Sequence, residues 1–148
     1  MPPSREFKVV IDPGAQSDLE QHLDIDPYRV KLSRTTQTRL HGTHHRSSRL
    51  IVIELGHTLF AHSSLRAVKT EILNTILHEF RHAYQHTHWT PQKIAEDKKR
   101  PYRLQEMEID AEEWAERNAA KWRQLFSIRP ISGNNLGRLA AAERQVRR

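Results

Sequence analysis

His78-Glu-Phe-Arg-His82 sets two imidazoles four residues apart, inside a stretch (residues 70–85) whose apolar residues recur with the rhythm of a helix. On one helix face at that separation, two ring nitrogens can hold a single zinc ion. Glu79 is turned by about 100° from His78. That places it to reach a water on the metal rather than the metal itself. Two histidines and a glutamate in this order point to hydrolysis by an activated water.

A catalytic zinc takes three protein ligands and keeps one position for water. The chain has no cysteine, so every ligand must be His, Asp or Glu. The run Glu106-Met-Glu-Ile-Asp-Ala-Glu-Glu-Trp-Ala-Glu116 offers carboxylates on a second helical stretch. Glu108 lies far enough past His82 for a loop and a returning helix to carry it across. Glu112, one turn further along the same face, is placed to accept a hydrogen bond from a ligand histidine. The same spacing pairs Glu106 with Asp110, so helix geometry leaves Glu106, Glu108 and Asp110 all open as third ligand. His88 is a rival, at the spacing of the pattern HExxHxxGxxH, although Gln85 stands where that pattern has its glycine. His86 is assigned to the rim, because the outer two of three histidines stacked on a straight helix are about 12 Å apart.

His78-Glu-x-x-His82 followed by Glu108-x-Asp-Ala-Glu-x-Trp-Ala115 resembles the small gluzincin-type metallopeptidases, in particular the ImmA/IrrE-like and minigluzincin groups. The resemblance covers roughly residues 50–118. It implies a zinc cofactor, ligands His78, His82 and Glu108, Glu79 as general base, and hydrolysis of peptide bonds. It puts Glu112 where those enzymes use Asp or Asn to orient a histidine, and makes Trp114 a core aromatic. The implied fold is zincin-like α+β, a small twisted sheet packed on the active-site helix with the glutamate-bearing helix below. The chain departs from the family pattern at Asp110 (usually Glu), at Glu112 and at the charged Arg81. A tetrahedral oxyanion needs a further donor, for which Tyr84, Tyr102, Arg103 and His88 are candidates.

Several elements must position these groups. Residues 7–11 read as a strand closed by a turn at Asp12-Pro-Gly14, and residues 17–23 as a short helix capped by Ser17. Residues 28–32 alternate like a strand, and the polar stretch 33–49, with His41, His44 and His45, reads as a hairpin loop or surface excursion. Residues 50–55 are the strongest strand and the expected edge for an extended peptide to pair with. Ser63 or Ser64 caps the long histidine helix, and Pro91 ends it. A second helix spans about residues 104–126, and a short amphipathic segment covers 136–146. The organisation expected is one domain over residues 1–130 and a basic tail or short helix over 131–148.

The net charge is +6. From Arg117 onward, Lys121, Arg123, Arg129, Arg138, Arg144, Arg147 and Arg148 face only Glu143, and such a tail can hold phosphate backbones. Nucleic acid is therefore a candidate partner beside a protein or peptide substrate. Neither a membrane span nor a secretory leader is expected, and a cysteine-free chain suits the cytoplasm. The competing class is a basic nucleic-acid- or protein-binding module whose His/Glu cluster is structural or vestigial.

Overall fold

In the computed structural model, residues 6–35, 40–56 and 64–131 are described. The chain is α+β: β1 (Glu6–Ile11), α1 (Pro13–Leu23), β2 (Arg29–Thr35), β3 (His41–His45), β4 (Leu50–Gly56), α2 (Leu65–His88), α3 (Pro91–Lys98), α4 (Glu106–Asn118) and β5 (Phe126–Ile131). Expectations for residues 136–146 and for most of the basic tail fall outside the described residues. No helix among those described is long and apolar enough to cross a membrane.

The strands form two sheets rather than the single sheet expected. β2, β4 and β3 make one, with β4 in the centre, parallel to β2 and antiparallel to β3. β1 and β5 make a separate antiparallel ribbon. Along β4 the burial alternates, with Ile51, Ile53 and Leu55 facing inward. They share one core with Ile72, Leu73, Ile76, Leu77 and Phe80 of α2. Full burial of each such side chain contributes about 1.5–3 kcal/mol, enough to fix which face of α2 looks into the sheet. The remaining faces of α2 meet β3 and α4.

Helix ends explain most departures from the sequence reading. Asp12 caps α1 by accepting from the Ala15 backbone N–H at 3.2 Å, and Pro13 follows in the first turn. Asp12-Pro13 is thus a helix start rather than a turn, and α1 begins earlier than Ser17. Thr90-Pro91 repeats the device, so the proline expected only to end α2 also opens α3. α2 begins as expected, with Ser64 accepting from Ala67 N–H. The second helix is shorter than expected: it stops at Asn118, and Phe126 to Ile131 pair with β1 instead.

Candidate metal centre

α2 and α4 run beside each other and bring the expected ligands together. His78 Nε2 and His82 Nε2 are 3.0 Å apart. The Glu108 carboxylate closes the triangle, Oε1 at 3.1 Å from His78 and Oε2 at 3.0 Å from His82. Ligand atoms on a tetrahedral zinc are separated by about 3.3 Å, so the spacing fits such an ion closely. Glu79 offers a carboxylate oxygen within 4.8 Å of both ring nitrogens. The Glu108 oxygens, at 3.0–3.1 Å, come to hydrogen-bonding range of the two rings.

The proton positions strengthen the fit. Gln85 sends its amide N–H groups to Met107 O at 2.9 Å and Asp110 Oδ2 at 2.8 Å, both pure acceptors. Its Oε1 therefore faces His82 Nδ1 at 2.8 Å, and that nitrogen must donate. In neutral His82 the lone pair is then on Nε2, aimed at another imidazole nitrogen and a carboxylate. Such a cluster is suited to a cation, or to a proton shared among its members. Without a metal it attracts a proton: burial works against charging His82, but hydrogen bonds with Glu108 and Gln85 prevail and raise its pKa. At Glu108 burial likewise opposes ionisation, and the hydrogen bonds from His78, His82 and Tyr102 outweigh it, holding the carboxyl well below the usual range.

Behind this triangle stands a relay absent from the sequence reading. Arg81 grips Asp110 through Nε at 2.8 Å and Nη2 at 3.3 Å, and Asp110 receives Gln85, which holds His82. Arg81 and Asp110, each a departure from the family pattern alone, are partners across α2 and α4. Removing Gln85 frees the His82 ring, so Gln85→Leu should weaken zinc binding about 10–100-fold, measured by competition with a chromogenic chelator. An unchanged affinity would show that the ring holds its tautomer without help.

α4 is set in register by α3. Buried Asp97 accepts from the backbone N–H groups of Glu106 (2.6 Å) and Met107 (2.9 Å), capping α4 from another helix. The next residue is Glu108, so the cap fixes which carboxylate meets the histidines.

The other candidates go elsewhere. His88 turns away, its Nε2 donating to Leu23 O and Asp24 O at 3.0 and 2.9 Å at the end of α1, and is neither ligand nor oxyanion donor. Glu106 is exposed near Lys93 and Arg100. Asp110 is taken by Arg81 and Gln85. Glu112 is exposed, and the histidine-orienting task expected of it belongs to Gln85. Tyr84 lies under the Arg81 guanidinium at 4.0 Å and against His88. Arg103 is exposed and makes no hydrogen bond or ion pair among the described residues. Tyr102 alone of the proposed donors reaches the cluster, its hydroxyl donating to Glu108 Oε1 at 2.6 Å. That bond, reinforced by burial, pushes its pKa up to about 12, so the hydroxyl keeps its proton. Trp114 is buried in the core, as expected.

Glu79 points the other way, toward β3. A cleft of about 400 Å³ lies there, with Gly42 to His45 on one side and Glu79, His82, His86, Tyr102 and Glu108 on the other. Burial, partly offset by His82 and His78 and reinforced by Glu108, raises the Glu79 pKa. Gly42 is what admits it: a Cβ there would sit 2.8 Å from Glu79 Cγ and 3.0 Å from Thr75 Cγ2. The polar stretch expected as loop is therefore in part an edge strand walling the cleft, and His86 takes its rim position, stacked on His44 with centroids 5.3 Å apart.

Residues 40–125 match DUF3920, a protein family of unknown function. The chain belongs to this family. The match covers β3, β4, α2, α3 and α4, and hence every residue of the His78–His82–Glu108 cluster and its relay, while β1, α1 and β2 precede it. No curated protein and no solved structure matches this DUF3920 chain.

Proposed function

We propose that this DUF3920 chain is a zinc-dependent peptidase of zincin-like design, with His78, His82 and Glu108 holding the ion and Glu79 acting as general base. The carrying observation is the triangle of two imidazole nitrogens and a carboxylate at 3.0–3.1 Å, with a separate buried carboxylate facing the adjoining cleft. A zinc ion in such a donor set supplies a Lewis acid that polarises a carbonyl and acidifies water.

The chain's own groups supply the rest. Glu79, its affinity for a proton raised by burial, is suited to accept one from water and return it to a leaving amine. Tyr102, kept protonated, is the nearest side-chain donor for a developing oxyanion, which its hydroxyl would serve by leaving Glu108 Oε1. β4, expected to receive the substrate, is central and paired on both sides. Among the described residues, the unpaired edge beside the cleft belongs to β3, and an extended peptide adding to it would lie over Glu79. A purely structural ion would give no use to a buried carboxylate held beside its ligands, and this favours the enzyme over a binding module. The cysteine-free composition suits a reducing compartment such as the cytoplasm.

The test is a peptide-library cleavage screen on zinc-loaded protein. Cleavage abolished by a chelator and restored by zinc is the expected result; no cleavage by protein carrying its zinc would favour the binding module. Gly42→Ala probes the same wall. Its methyl group displaces Glu79, so kcat should fall about tenfold or more while zinc content is unchanged. Full activity in Gly42→Ala would mean that the position of Glu79 does not matter.

A further inference from the structure

A second cleft, of about 900 Å³, opens beyond the first and is lined by Asp26, Tyr28, His45, Arg46, Arg49 and His86 among others. His45 and His86 line both, so the two adjoin at these residues. Its charge balance is positive. Asp26 is committed to Arg49 at 3.1 Å, whereas Arg46 has no acidic partner among the described residues. His44, beside this groove, is pushed down to about 4, by burial first and then by His86, His82, His45 and, least, Arg46. The ring of His86, which lines both clefts, has a buried Nδ1 without a hydrogen-bond partner among the described residues.

The position of this groove follows from β3. Gly42, near the strand's start, lies against Glu79, and His45 ends the strand just before Arg46. A peptide paired with β3 and cleaved beside Glu79 would therefore pass Arg46 with residues about two to four positions from the cleaved bond, at roughly 3.3 Å per residue. An antiparallel peptide brings its N-terminal side there, a parallel one its C-terminal side.

We propose that the Arg46 groove is a specificity subsite for a substrate carboxylate, held by the Arg46 guanidinium with the rings of His45 and His86. The carboxylate comes from an Asp or Glu side chain or from the peptide's own C-terminus. This subsite rests on the peptidase reading, but its binding step does not require turnover. A groove that adjoins the cleft under a strand edge favours a peptide over a nucleic-acid backbone.

The experiment measures binding, by fluorescence anisotropy, of labelled Ala/Gly peptides to zinc-loaded Glu79→Gln protein. One series carries a single Asp, or Asn as control, at each position in turn; another compares free with amidated C-termini. The expected result is roughly fivefold tighter binding of the carboxylate peptide at one position, lost at high salt and lost in Arg46→Glu. Preference for interior Asp identifies a side-chain subsite, and preference for the free C-terminus alone identifies a terminal-carboxylate subsite. Equal binding of Asp and Asn peptides and of both C-termini, or a preference untouched by Arg46→Glu, would overturn the proposal. So would a DNA oligonucleotide that binds through Arg46 more tightly than any peptide. Arg46-dependent carboxylate binding without cleavage by the wild type would sink the peptidase and leave the groove standing.

Discussion

Glu79→Gln should lower peptide hydrolysis about a thousandfold, within the range attributed to a general base, and leave zinc bound. The amide keeps the size of the carboxylate, and so the packing against Gly42 and Thr75. It cannot take a proton. Metal content should be unaffected because the proposed donors are His78, His82 and Glu108, which the substitution does not touch. Stability should not fall either. Burial raises the folded-state pKa of Glu79 above its ordinary value, so its contribution is most favourable below that ordinary value and is lost as pH rises through the folded pKa. Glutamine has no ionised form whose burial is unfavourable, so Glu79→Gln should melt no lower than the wild type. Loss of activity with retained zinc and undiminished thermal stability is the pattern to look for. Residual activity near that of the wild type would remove Glu79 from the mechanism.

Glu108→Ala should weaken zinc affinity by at least roughly a hundredfold, beyond the effect of removing a supporting group. It takes away both oxygens that close the triangle and leaves two histidines without a charged donor. It also releases Tyr102, whose hydroxyl is bound to the same carboxylate. Neighbouring acids discriminate. Glu106→Ala removes only an exposed partner of Lys93 and Arg100 and should leave affinity unchanged. Asp110→Ala loosens Gln85 and Arg81 and should cost about as much as Gln85→Leu, roughly 10–100-fold. Isothermal titration of the three variants ranks them. A larger loss in Asp110→Ala than in Glu108→Ala would reassign the third ligand.

What could be read from the sequence was what local periodicity encodes. α2 was legible because its apolar spacing, its Ser64 cap and the His78-Glu-x-x-His82 spacing all reside in one continuous segment. β4 was legible because buried β-branched residues alternate along it. β3 was not: its histidines, glycine and threonine form a half-buried edge without apolar alternation, and only pairing with β4 makes them a strand. The choice of Glu108 over Glu106 and Asp110 came from resemblance, since helix spacing permits each. The physical cause is Asp97, a cap contributed by a helix that was not foreseen. Gln85 was seen only as a missing glycine, although it lies one turn beyond His82, where a residue can hold that ring's other nitrogen. Arg81 and Asp110 read as separate anomalies because their pairing joins two helices far apart in the chain.

The most direct measurement is the zinc content of the purified wild-type protein, by elemental analysis after exhaustive dialysis. The account predicts about one zinc per chain. Protein that holds no zinc, even after reconstitution with excess metal, would contradict it and leave the His78–His82–Glu108 triangle as a hydrogen-bonded cluster without catalytic purpose.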